Sequence, residues 1–158
     1  MRGANRITII AYDDRGFSSN PKYIDIMCKN HSLPTPNLYI LGIGVSDYPL
    51  LSEQWQLDFA DTDAESLIDI FKDQKGKYFH EIESNLIINE KATSENIINA
   101  LNNLSRLNQN DIAIIFLAGH GVMDAYGSFH FLTAEGNVTN PRQGGLDWTT
   151  LTSYISKI

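Results

Sequence analysis

A single cysteine, Cys28, stands in 158 residues, which excludes an internal disulfide and any zinc site assembled from paired thiolates. A reducing, cytoplasmic setting is the expectation that follows. Positive charge is also scarce: 12 Lys and Arg face 19 Asp and Glu, for a formal net charge of −7. Phosphate affinity comes from clustered cations, so neither nucleic acid nor an anionic membrane is expected as a partner. Long apolar runs are missing too. None approaches the roughly 18 residues of a spanning helix. The opening MRGANRITII has no apolar core leading to a cleavage site, so no secretory leader is expected. What is present is a length suited to one domain around one core, with an ordinary apolar fraction of 42%.

The stretch RITIIAYDDRGFSSNPKYIDIM reads as two strands, 6–12 and 22–27, around the turn residues Asp13, Asp14, Arg15 and Gly16. A hairpin alone is marginal in water. Residues 1–36, ending in the extended linker HSLPTPN, are therefore expected to extend the sheet of the rest or to close a preceding β-sandwich module. From residue 37 the pattern changes. LYILGIGV, at 38–45, is a short apolar run of the kind that forms a fully buried strand. Asp61 and Asp63 suit a helix N-terminus with its unpaired N–H groups. Ala64, Leu67, Ile68 and Phe71 then repeat at helical spacing as far as Gly76. Strands are expected at 84–88 and 112–117. Between them lies a helix capped by Thr93, with Ile97, Ala100, Leu101 and Leu104 on its apolar face.

Strand, helix, strand, helix, strand predicts right-handed crossovers and a mainly parallel sheet, hence an α/β three-layer sandwich. GSFHFLT, at 127–133, reads as a short strand in a surface hairpin. Asp147 should cap a last helix that carries Leu151, Tyr154, Ile155 and Ile158 on one face. Such a helix should cross to a further parallel strand. The sequence ends where that strand is due, so the domain is expected to be incomplete at its C-terminus.

Two glycine motifs raise the question of chemistry. GIGVSD, at 42–47, offers two glycines of a dinucleotide fingerprint but has Asp47 at the third position and Pro49 close behind. No helix N-terminus is there to receive a pyrophosphate, so it reads as a strand leaving the core through a glycine-rich turn. DIAIIFLAGHG, at 111–121, runs seven apolar residues into His120 between Gly119 and Gly121. In an open parallel sheet the working site lies beyond the carboxyl ends of the strands, and this strand, expected to be central, delivers His120 there. The flanking glycines permit close backbone approach, and the Gly121 N–H can face a developing oxyanion. The alternative is a histidine that caps the strand end and bonds a loop carbonyl. His31, His80 and His130 stand at no metal-ligand spacing and read as surface or structural residues.

Taken in order, LYILGIGVSDYPLL, LDFADTDAESLIDIF, NEKATSENIINAL and NDIAIIFLAGHG resemble the successive landmarks of the caspase-like cysteine peptidases, above all their bacterial and metacaspase-type members. The resemblance covers residues 37–158 and extends to Leu57, Ala60, Asp63 and Ala64 at the helix start and to the hairpin YGSFHFLTAEGN. It implies a caspase/hemoglobinase-like fold and a Cys/His dyad acting on a protein or peptide substrate. His120 would be the catalytic histidine and Gly121 an oxyanion-hole N–H. In metacaspase-like members an acidic residue at the position of Asp63 helps bind an Arg or Lys P1 side chain. Caspases that cut after Asp carry an arginine where this chain has Leu57. The resemblance thus implies a basic P1 preference, while capping of its helix would explain Asp63 equally well.

In the family the nucleophilic cysteine follows the next parallel strand, beyond Ile158. Cys28 precedes the first family strand and lacks the glycine-rich context, so it reads as structural or incidental. The chain is then the large-subunit portion of a peptidase domain, half a dyad that is inactive alone, with the cysteine-bearing remainder of the domain as its partner. Two other readings stay open: a pseudo-peptidase or adaptor that only binds proteins, and one chain of a split or processed enzyme. No cofactor is expected. Several family members need calcium, but acidic residues such as Asp124 show no ligand spacing. An uncovered sheet edge would promote self-association.

Overall fold

The computed structural model describes residues 4–27 and 35–158, in two units, Met1–Pro34 and Thr35–Ile158. Cys28 and His31 lie outside the described residues. In the first unit, alternation of side chains builds an antiparallel pair, β1 (Ala4–Ile9) and β2 (Lys22–Met27), in which Arg6 faces Asp25 and Ile7 faces Ile24. One face is polar: Arg6 Nε and Nη2 donate to the two Asp25 oxygens at 2.6 and 2.7 Å, and the guanidinium lies over the Tyr23 ring. The other carries Ile7, Ile9, Ile24 and Ile26, all exposed. The first strand is placed three residues earlier at its end than the period suggests. Beyond it, Asp13 Oδ1 accepts the N–H groups of Arg15 and Phe17, and Gly16 turns the chain at φ +85°.

The second unit is organised around β3 (Leu38–Gly44), which pairs in parallel with β4 (Ile82–Ile88) on one side and β5 (Ile112–Ala118) on the other. The sheet order is β4-β3-β5. Among the described residues β3 holds the middle place, and the strand that leads to His120 lies beside it. Burial agrees, since β3 is almost wholly buried whereas β5 is half-buried, with Ile112 exposed.

Between β3 and β4 runs α1 (Ala60–Lys72), and between β4 and β5 runs α2 (Ser94–Leu104). The first connection steps one way from β3 and the second returns past it. Right-handed crossovers then set the two helices on opposite faces of the sheet. The cores show those faces. Leu38 and Ile40 pack with Ile68 of α1, while Leu41, Ile43 and Val45 pack with Ile97, Ala100 and Leu101 of α2. Each such buried aliphatic stabilises the fold by roughly 1.5–3 kcal/mol relative to exposure. α3 (Trp148–Ile155) joins the α2 side through Leu151.

The glycines of GIGV serve packing. A Cβ on Gly42 would lie 3.0 Å from Ile68 Cδ1, and one on Gly44 would overlap the carbonyl of Ala60. Bare backbone at both positions lets α1 lie directly on β3.

Two caps fall where the side chains called for them. Thr93 accepts the Asn96 N–H at 3.2 Å, and Asp147 accepts the Thr150 N–H at 2.9 Å. α1 ends at Lys72, ahead of Gly76, which shapes the following turn at φ +73° and donates to Phe79 O. α3 ends at Ile155, and both Ile155 and Ile158 are exposed.

A second sheet follows β5 at once, with β6 (Gly121–Met123), β7 (Phe129–Leu132) and β8 (Gly145–Asp147) in the order β6-β7-β8. The expected hairpin is at the surface only in part: Met123, Tyr126 and Phe129 are exposed, whereas β8 covers the second edge of β7 and His130, Phe131, Leu132, Thr133 and Ala134 are buried. Its turn is held by Asp124. Oδ1 accepts the N–H groups of Tyr126 and Ser128 at 2.9 Å each. Oδ2 accepts Arg142 Nε at 2.8 Å and faces His130 Nε2 at 3.4 Å.

Candidate active site

The loop that leaves β3 and the segment that follows β5 meet on the α2 side of the sheet, where Tyr48 of the first shares a core cluster with Phe131 and Leu132 of the second. They meet beyond the carboxyl ends of two neighbouring strands, the usual ligand position in open α/β sheets. His120 stands there, on the two-residue link from β5 to β6. Gly119 makes the link possible: its φ is +153°, and a Cβ would lie 2.9 Å from Tyr48 Oη and 3.1 Å from the Phe131 ring. A Cβ on Gly121 would overlap the ring of Phe129.

His120 is held from three directions. Its backbone N–H donates to Tyr48 Oη at 2.9 Å, its carbonyl accepts the Leu132 N–H at 2.8 Å, and its Nε2 lies 2.9 Å from the carbonyl oxygen of Trp55. The imidazole is flanked by Tyr48 (centroids 5.2 Å apart) and by Trp55, edge-on at 5.2 Å. A carbonyl oxygen only accepts, so Nε2 carries the proton and the lone pair of the neutral ring is on Nδ1. The ring does bond a loop carbonyl, as a merely capping histidine would. That bond also fixes the tautomer and leaves the basic nitrogen unspent.

Tyr48 is fully buried. Burial pushes its phenol up from the ordinary value, against a smaller opposing effect of the His120 N–H, so it remains a neutral hydroxyl. Neither Tyr48 nor the Trp55 carbonyl is recognisable from residue types, because every residue has a carbonyl. The spacing of Tyr48 behind GIGVSD was the only signal available.

Gly121 opens β6 and faces Phe131 across the ladder. Because His120 and Leu132 are hydrogen-bonded, the alternation of an antiparallel ladder makes Gly121 and Phe131 a non-hydrogen-bonded pair. The Gly121 N–H therefore points away from β7, at an exposed position next to His120.

Of the two aspartates expected at the start of α1, Asp61 is committed to structure. It accepts from Ser46 Oγ at 2.7 Å, Asn89 Nδ2 at 2.9 Å and the Thr62 N–H at 2.8 Å. The Ser46 and Asn89 bonds hold its carboxyl below the usual range. Asp63 is exposed on the first turn, and among the described residues its carboxylate has no hydrogen bond or ion pair. The N-cap is Phe59, with no side-chain cap, and Asp63 sits in the first turn, where the helix dipole favours an acid. No hydrogen bond joins Asp63 to His120 or Gly121. Leu57 packs its side chain on the core.

A cavity of about 730 Å³ opens beside the same loop, lined among others by Asp47, Tyr48, Leu51, Gln56 and Asn89; His120, Gly121 and Asp63 are not in its wall. Among the described residues no group of three or more His, Cys, Asp or Glu is placed to hold a metal. Nor is any helix there long and apolar enough to cross a membrane. His130, buried against Asp124, is a packing residue of the second sheet, and His80 is exposed.

No curated protein and no solved structure matches the chain. The model of one family, the caspase domain, matches residues 39–140. The matched stretch takes in β3, α1, β4, α2, β5 and the link that carries His120. With that match and this α/β fold of mainly parallel strands, the chain belongs to the caspase family of peptidase domains.

Proposed function

We propose that His120 is the general acid/base of a Cys/His dyad in a cysteine endopeptidase, with the Gly121 N–H as oxyanion donor and the cysteine supplied outside these 158 residues. The observation that carries this reading is the His120–Trp55 bond at 2.9 Å, which puts the proton on Nε2 and leaves the lone pair of Nδ1 to act as the base. Nδ1 takes the proton of the thiol, and the thiolate adds to the scissile carbonyl carbon, forming the C–S bond. The negative oxygen that results is met by the Gly121 N–H. As the C–N bond breaks, Nδ1–H returns the proton to the leaving amine, and water then hydrolyses the thioester with His120 again as base.

Asp63, exposed and unpaired at the head of α1, supports a basic P1 side chain, and an apolar Leu57 in place of arginine argues against an acidic one. Cys28 lies ahead of the matched residues 39–140, so this chain alone is expected to turn over no peptide. A second reading, a pseudo-peptidase adaptor, draws on the same fact: the only cysteine present is outside the matched domain.

Fluorogenic peptides with Arg, Lys or Asp at P1, given to the full-length protein and its His120→Ala variant, separate the readings. Turnover of Arg and Lys peptides that His120→Ala abolishes supports the dyad. Turnover that survives the substitution removes His120 from the mechanism, and none with any peptide supports the adaptor.

A further inference from the structure

We infer that Gln56 is a positioning residue for the His120 imidazole, acting through the loop between β3 and α1; the inference rests on the reading of His120 as the dyad base. The two groups that hold His120 by its N–H and its Nε2 come from opposite ends of one loop segment, Tyr48 and Trp55. A single side chain ties those ends together. Gln56 Oε1 accepts the Tyr48 N–H at 2.7 Å, and Nε2 faces the carbonyls of Tyr48, Leu51 and Ser52 at 3.0, 3.3 and 3.4 Å. With two protons for three carbonyls, one proton is shared. The amide orientation is also fixed, because the reverse flip would set an oxygen against three carbonyls and an NH2 against an N–H.

Gln56 is next to Trp55 in the chain, so the Trp55 carbonyl and the Gln56 N–H belong to one rigid peptide plane. That plane is fixed from the backbone by the short turn in which Trp55 N–H donates to Ser52 O at 2.9 Å and Gln56 N–H to Glu53 O at 3.0 Å. It is fixed from the side chain by the Gln56 amide. The angle at which the Trp55 carbonyl meets His120 Nε2 thus depends on Gln56, although Gln56 makes no hydrogen bond to His120. An imidazole displaced by about 1 Å loses on the order of a hundredfold in rate, so small looseness in this loop reaches the chemistry.

The test has a spectroscopic arm and a kinetic arm, with Gln56→Ala, Gln56→Met and, as control, Gln54→Ala at an exposed neighbour. Imidazole 15N NMR of the chain at about pH 8, where histidine is neutral, should show His120 as the Nε2–H tautomer in the parent and the control. In both Gln56 variants the signals should move toward a mixture of tautomers, while amides of α2 keep their positions. In the full-length protein, kcat should fall about ten- to hundredfold with KM changed less than about twofold.

An unmoved tautomer in both folded variants overturns the proposal. Restoration by Met, which refills the volume without hydrogen bonds, overturns it in favour of packing. If Gln56→Ala does not fold, Gln56→Met alone decides in the same way. A tautomer shift in a protein with no His120-dependent turnover supports the positioning and sinks the dyad reading. An active enzyme with an unshifted tautomer does the reverse.

Discussion

The Nε2 atom of His120 lies 2.9 Å from the carbonyl oxygen of Trp55, a residue 65 positions earlier in the chain. The contact crosses from the loop after β3 to the end of β5, so the register of the parallel sheet sets it. Gly44 pairs with Ala118, and both strands therefore release their loops at one level.

Tyr48→Phe should weaken the link most directly. It removes the acceptor of the His120 N–H at a buried site, and an orphaned donor of this kind costs about 1–3 kcal/mol. Urea denaturation of the chain should show a loss in that range with an unchanged m-value. A loss below about 0.5 kcal/mol would mean that water replaces the hydroxyl.

Gly44→Ala should be among the most damaging small substitutions in the domain. The new methyl would overlap the carbonyl of Ala60, backbone that cannot swing aside, so at least about 2 kcal/mol of stability should be lost. Gly127→Asn is the contrasting case. Its φ is +82° with nothing within 4 Å, and Asn adopts the left-handed region readily, so the change should stay below about 1 kcal/mol. Parallel thermal melts would compare them.

Asp124→Asn should change how the protein responds to acid. The Ser128 and Tyr126 N–H groups, Arg142 and His130 hold the Asp124 carboxyl far below the usual carboxylate range. A depressed folded value means the stabilisation is present above the unfolded value of about 3.9 and is lost as pH falls toward the folded one. Melting temperatures from pH 5 down to pH 2 should fall less steeply for Asp124→Asn than for the parent. The variant should also be the less stable of the two at pH 7.

Asp63→Ala tests the proposed P1 preference in the full-length protein. Asp63 is exposed and unpaired among the described residues, so stability should stay within about 0.5 kcal/mol. The ratio of kcat/KM for Arg-P1 over uncharged-P1 peptides should drop about tenfold or more, as loss of a charge-assisted bond of about 1.5–3 kcal/mol would give. An unchanged ratio removes Asp63 from substrate recognition.

The elements of the sheet and its helices were legible because their signals are local. Short apolar runs mark β3 and β5, helical spacing marks α1 and α2, and Thr93 and Asp147 cap where their oxygens can reach the next turn. Long-range partners were not legible. Asp61 reads as a first-turn acid, yet its main bonds go to Ser46 and to Asn89, 28 residues on. β8, three residues long, is too short for any period to show, so β7 read as surface. The position of His120 at a strand end is visible in the sequence, but apolar content does not reveal strand order, so the place of β5 beside β3 is not. Tyr48 and Trp55 are not legible because a hydroxyl and a carbonyl do their work on His120, 72 and 65 residues on, and Gln56 because its amide bonds only the backbone of its own loop.

The bare backbone at Gly42 and Gly44 has an effect beyond contact. It seats the head of α1 against the strand like a beam on a bearing, with no side chain between to act as a shim. The first turn, from which Asp63 projects, is thereby levelled with the exit of β3. An exposed residue of that turn, such as Asp63, can be exchanged without retooling the mount beneath it, whereas Asp61 cannot, since it bonds Ser46 and Asn89.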